Sequence, residues 1–169
     1  MEKESLLTEK GRVAGIDYGT VRIGVSLCDF DRKIASPWEN YTRRNVEEDA
    51  KYFQKIVQEC KITLFVVGLP VHMSGDESEK SKEARKFGAW LASVTKIPVC
   101  YFDERYSSCA ADELMCSLGG KKKRKARRDK IAAYVILSRW LEFIQKRKKM
   151  NHFDFLEISE GTESLEEHI

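Results

Sequence analysis

The chain has 169 residues, 42% of them hydrophobic and 34% charged, with a formal net charge of +3. That length suits one ordinary domain with a core that needs no staples, and the apolar runs are too short for a bilayer-spanning helix. Five cysteines without a CxxC pair, Cys28, Cys60, Cys100, Cys109 and Cys116, argue against a disulfide framework or a zinc knuckle, and three histidines, His72, His152 and His168, supply a His-centred hydrolase poorly. Carboxylates must carry most of any metal chemistry.

The charge is unevenly spread. Residues 151–169 hold six acids and no Lys or Arg, so residues 1–150 carry 30 cations against 21 acids. Within them KKKRKARR at 121–128 packs seven cations into eight residues, which reads as a surface loop able to meet a polyanion. The opening MEKESLLTEK lacks the apolar core of a signal peptide and is too acidic for a transit peptide, so a cytoplasmic location and no membrane partner are expected. The expected organisation is an N-terminal tail at 1–11, one domain at 12–150 and an acidic tail at 151–169.

In chain order, GIDYGTVRIGVSLCD at 15–29 alternates as a hairpin turning at Tyr18-Gly19-Thr20, with Asp17 at the exit of its first strand. A third strand over 34–42 contains Pro37, which suits a sheet edge. Asn45 can cap a helix whose stripe is Val46, Ala50, Phe53, Ile56, Val57 and Cys60. TLFVVGL at 63–69 is a continuous apolar run, typical of a strand covered on both faces. A loop follows, then a helix over Glu77 to Val94 with Ala84, Phe87, Trp90 and Leu91 on one face, then a strand over 98–102 ending in DERYSS.

Ser107 or Ser108 can cap a short helix to about Leu118, Gly119-Gly120 stops it, and a final helix is predicted from about Arg128 to Gln145 or beyond. The order β-β-β-α-β-α-β-α-α gives an α/β fold with a mixed sheet flanked by helices. In such sheets ligands gather beyond the carboxyl ends of the strands, where Asp17, Gly68-Leu69-Pro70 and Asp103-Glu104-Arg105 can converge. Asp129 precedes the small and apolar IAAYVIL, and on a helix it shares a face with Ala132 and Ala133, whose size allows close approach to the sheet. Taken singly, Asp17 also reads as a turn-capping aspartate, Asp129 as a helix N-cap and Arg105 as the partner of a nearby acid.

Four motifs in this order, GIDYGTVRIGVSLCD, VVGLPVHMSG (66–75), FDERYSS (102–108) and KARRDKIAAYVIL (125–137), resemble the YqgF or RuvX family of Holliday-junction-resolvase-like proteins, also described as pre-16S rRNA nucleases. The resemblance covers about residues 12–145. It implies a ribonuclease H-like fold, phosphodiester hydrolysis with Mg²⁺ or Mn²⁺, and Asp17, Glu104 and Asp129 at the family's acidic positions. Asp103 is the alternative to Glu104, because adjacent strand residues point to opposite faces. Thr20, Arg22, Arg105, Lys121, Lys122, Lys123 and Arg124 are the candidate contacts to nucleic acid. His72 and Tyr106 depart from the family pattern without touching the acids, and the acidic tail has no counterpart in it.

The expected function is a nuclease processing the 5′ end of pre-16S rRNA. The first alternative is a resolvase of branched DNA, which would act as a homodimer. GIDYGT also resembles the phosphate loop of sugar kinases and actin-like ATPases, although those need a second such domain. A non-catalytic nucleic-acid-binding module is the remaining reading.

Overall fold

The computed structural model describes residues 10–70, 77–103 and 121–149, with the backbone alone over 121–130 and at 149. The predicted helix at 107–118, its Gly119-Gly120 stop, most of the loop after Pro70, and the tails beyond residues 10 and 11 lie outside these residues. Among the described residues no helix is long and apolar enough to cross a membrane.

Five strands form one sheet: β1 (Arg12–Asp17), β2 (Arg22–Cys28), β3 (Ala35–Thr42), β4 (Ile62–Leu69) and β5 (Val99–Asp103), in the order β3-β2-β1-β4-β5. β1, β2 and β3 pair antiparallel as a meander, while β1, β4 and β5 run parallel. The carboxyl ends of β1, β4 and β5 therefore lie at one end of the sheet, with the start of β2 and the end of β3. β3 occupies the edge, as Pro37 requires, and the pairing slips where Pro37 stands opposite Ser26.

The sheet separates two cores. On one face α1 (Val46–Cys60) and α2 (Glu79–Thr95) cover Ala14, Ile16, Val25, Phe65, Val67 and Tyr101. On the other α3 (Lys121–Lys149) covers Val13, Leu64, Val66 and Phe102 with Ile136, Leu137 and Trp140. Successive residues of β4 enter opposite cores, which is why that strand reads as unbroken apolar sequence.

Asn45 caps α1, its side-chain oxygen accepting the Glu48 N–H at 2.9 Å. Its inward stripe differs from expectation in the first turn: Val46 is 65% exposed and Asp49 is buried in its place. α2 begins at Glu79 rather than Glu77, capped by Ser78, whose hydroxyl accepts the Ser81 N–H and donates to the Pro70 carbonyl at 2.7 Å.

The largest correction concerns α3. The basic run at 121–128 belongs to the helix rather than to a loop, so the helix starts at Lys121 instead of about Arg128. Lys, Arg and Ala are all strong helix formers, and nothing in KKKRKARR breaks a helix. The run lacks an apolar stripe, and a stripe is the signal from which a helix start is read.

Candidate active site at the carboxyl ends of the parallel strands

Asp17 closes β1 and is half-buried. Strand alternation puts it on the face of Gly15 and Val13, the face that α3 covers. Its antiparallel partner on β2 is Gly24. On β4, Ile16 pairs with Val67, so the residue that follows beside Asp17 is Gly68. On this face, then, the carboxylate is flanked by two strand positions that carry no side chain.

One step lower on the same face, α3 makes a close contact with the sheet. Ser26, which pairs with Gly15, donates its hydroxyl to the Ala133 carbonyl at 2.7 Å. A Cβ on Gly15 would stand 2.7 Å from Leu137 Cβ and 2.8 Å from the Ala133 carbonyl oxygen, so only glycine lets α3 approach this near. Ala133 is fully buried. The approach expected from the small residues at 132 and 133 is thus present, made by Ala133.

Asp129 lies one turn before Ala133. It is the ninth residue of α3, which removes the N-cap reading; its side chain, like those of Lys121, Lys122, Lys123 and Arg124, lies outside the described residues. Glu104 and Arg105 lie outside them altogether.

Asp103 ends β5, 7% exposed, and pairs with Leu69. It shares its face with Val99 and Tyr101, whose side chains enter the core beneath α1 and α2. Asp17 and Asp103 therefore stand at the same end of the sheet, two strands or about 10 Å apart, on opposite faces. Arg22, the first residue of β2, alternates with Gly24 and Ser26 and so shares the Asp17 face, whereas Thr20 is exposed in the turn. Among the described residues no three His, Cys, Asp or Glu side chains form a group able to hold a metal ion.

The structure adds a cluster that the sequence reading missed, on the turn after Asp17. Arg43 donates Nε to Asp49 Oδ2 at 3.2 Å and Nη1 to the Tyr18 hydroxyl at 3.3 Å, and its guanidinium lies over the Tyr18 and Phe87 rings. Asp49 Oδ1 accepts the Tyr41 hydroxyl at 2.8 Å and the Arg44 N–H at 3.0 Å. Burial alone would raise the Asp49 carboxyl, but these hydrogen bonds and the Arg43 charge outweigh it and hold the group below the usual carboxylate range. Burial and the Asp49 carboxylate push the Tyr41 hydroxyl up to about 12. One signal was available: Asp49 stands four residues before Phe53, where the apolar stripe of α1 calls for a hydrophobic side chain.

Asp29, at the far end of β2, does the structural task that a turn aspartate usually does. Its Oδ1 accepts the N–H groups of Lys33 and Ile34 at 2.7 and 2.9 Å. That carboxylate is at the opposite end of the sheet from Asp17.

A model of the RuvX family, described as Holliday junction resolvase, matches residues 11–143. A protein of Rhodopirellula baltica named "Putative pre-16S rRNA nuclease" is 45% identical over 159 residues, covering 93% of this chain and 91% of its own length. A Neisseria gonorrhoeae protein of the same name is 40% identical over 136 residues, covering 79% and 89%. Among solved structures, RuvC of T. thermophilus in complex with a Holliday junction substrate aligns with a TM-score of 0.50 at 13% identity, over 83% of this chain and 97% of that one, a likeness of fold.

Proposed function

Because the chain belongs to the RuvX family, with a ribonuclease H-like fold, we propose that it is a metal-dependent nuclease that processes the 5′ end of pre-16S rRNA in ribosome biogenesis. The observation that carries this reading is Asp17: a half-buried carboxylate at the carboxyl end of a central strand, flanked by Gly24 and Gly68 and facing the helix that bears Asp129. A carboxylate with no side chain beside it on either neighbouring strand suits a hydrated cation and a phosphate better than it suits packing.

Asp17, Glu104 and Asp129 would hold Mg²⁺ or Mn²⁺, for which carboxylate oxygens are the fitting donors. When bound, the metal supplies neutralisation of charge on the scissile phosphate and lowers the pKa of the attacking water. Two arguments support this set. Asp103 is committed to the α1 and α2 face, and strand alternation, if it ran one residue further, would put Glu104 on the face of Asp17. On the other side, Val13 packs with the later turns of α3 and Gly15 with Ala133 and Leu137, so β1 runs toward Asp17 as α3 runs back toward Asp129.

The remaining groups would bind substrate. Arg22 shares the Asp17 face, Thr20 sits in the adjoining turn, Arg105 follows Glu104, and Lys121, Lys122, Lys123 and Arg124 form the first turn of the helix that carries Asp129. Phosphate contacts of this kind position a strand without reading its bases.

The family description favours one second reading, a resolvase of branched DNA; cutting two symmetric strands would require a homodimer. The deciding experiment incubates the full chain with a 5′-extended 16S rRNA precursor and with a four-way DNA junction, each in Mg²⁺, Mn²⁺ or EDTA. Metal-dependent cleavage at the precursor's 5′ end supports the proposal. Paired symmetric cuts confined to the junction would replace it with the resolvase, and cleavage that EDTA leaves intact would overturn the metal site.

A further inference from the structure

We propose that Arg43 is a positioning residue for the active site, a clamp seated on buried Asp49 that presets the turn following Asp17. The inference rests on the nuclease reading and adds to it a residue from the sheet's edge, outside the family's acidic positions.

The turn from Tyr18 to Val21 joins β1 to β2, and Arg43 grips it at both ends. Its side chain donates Nη1 to the Tyr18 hydroxyl at 3.3 Å, and its backbone N–H donates to the Val21 carbonyl at 2.9 Å. Between these points Gly19 leaves no room for a side chain, because a Cβ there would run into the Arg22 carbonyl oxygen. Tyr18 also packs against Phe87, ring centroids 5.0 Å apart, so that Arg43, Tyr18 and Phe87 touch one another. Asp17 stands immediately before the clamped turn and Arg22 immediately after it.

Arg43 is in turn fixed from behind. Its side chain is 26% exposed, whereas that of Asp49 is 2% exposed. Asp49 Oδ2 accepts Arg43 Nε at 3.2 Å, and Oδ1 is occupied by Tyr41 and Arg44. Only a planar guanidinium can donate in two fixed directions while its charge stands near the Tyr18 and Phe87 rings; the ammonium of lysine carries the charge without the fork. A buried acid that holds an arginine, which holds the turn beside a proposed metal ligand, is a supporting arrangement for a preorganised site.

The test uses the full chain with Arg43→Ala, Arg43→Lys and Tyr18→Phe, the last deleting only the hydroxyl that Arg43 holds. Four quantities are read: kcat and KM on the rRNA precursor in Mg²⁺, amide hydrogen exchange over residues 18–22, and recovery of Arg43→Ala by added guanidinium ion. Both Arg43 variants should lose on the order of tenfold to a hundredfold in kcat, with KM within about twofold, and exchange faster over the turn. Tyr18→Phe should show a smaller loss of the same kind, and guanidinium should restore part of the Arg43→Ala rate. Unchanged exchange over 18–22, or a defect confined to KM, would overturn the clamp, the latter making Arg43 a substrate contact. If the wild type cleaves neither RNA nor junction, the nuclease reading falls, while the exchange data still decide whether Arg43 clamps the turn.

Discussion

Ser26 donates its hydroxyl to the backbone carbonyl of Ala133, 107 residues away in the chain, at 2.7 Å. This bond, laid over Gly15, sets how α3 sits on the β1–β2 pair and so how the helix turn bearing Asp129 stands relative to Asp17. Gly15→Ala should destabilise the fold by about 2–3 kcal/mol, because the added methyl meets the helix backbone and Leu137. Ser26→Ala should cost only about 1 kcal/mol, one hydrogen bond removed. Urea unfolding of both variants checks the order; equal stabilities would mean that the helix shifts freely over this contact.

The acids should act as a set. Asp17→Asn, Glu104→Gln and Asp129→Asn are each expected to abolish most cleavage while leaving the melting temperature near or above that of the wild type, since clustered carboxylates without a cation repel one another. Cleavage rates and thermal melts on the same preparations decide it. Near-normal cleavage by any two of the three would remove the metal-site assignment.

The basic start of α3 is expected to bind phosphate. Replacing Lys121, Lys122, Lys123 and Arg124 with Gln should weaken binding to unrelated RNA sequences alike, and each lost contact should flatten the slope of log affinity against log salt by about 0.7–0.9. Glutamine is also a good helix former, so the circular-dichroism signal should hold. An unchanged salt slope would assign the run to solvent.

The Asp49 carboxylate makes a prediction with a definite sign. Its folded-state pKa lies below the unfolded value of about 3.9, so its contribution to stability is full above that pH and is lost as pH falls through the folded value. Asp49→Asn should be less stable than the wild type at pH 7 by about 2 kcal/mol, because Arg43 loses its buried counter-charge. The gap should hold down to about pH 5 and shrink below about pH 4. Unfolding curves from pH 7 to pH 3 measure it, and a gap constant across that range would contradict the assignment.

Much of the fold, and the placement of Asp17 within it, was legible because the signals are local. Asp17 at a strand exit, Asn45 as a cap and Pro37 at an edge each follow from a few neighbouring residues. The start of α3 was misplaced because eight mostly charged residues carry no apolar periodicity, although their intrinsic preference is helical. Arg43 was missed for a different reason: Tyr18, Asp49 and Val21 are neighbours of it only after the hairpin, β3 and α1 have packed.

The sequence by itself determined the five strands, the helices after Asn45 and Glu77 and the four motifs, though not the start of α3, since periodicity, capping and turn chemistry act within a few residues. Tertiary structure alone decided which faces those elements share. Gly24 and Gly68 flank Asp17 only through strand register, Asp103 turns away from Asp17 only because of the phase in which β5 enters the sheet, and Ser26 meets Ala133 only because Gly15 lets α3 settle against the strands. Register and helix docking are fixed by contacts between residues distant in the chain, where a one-residue change of phase reverses every side chain.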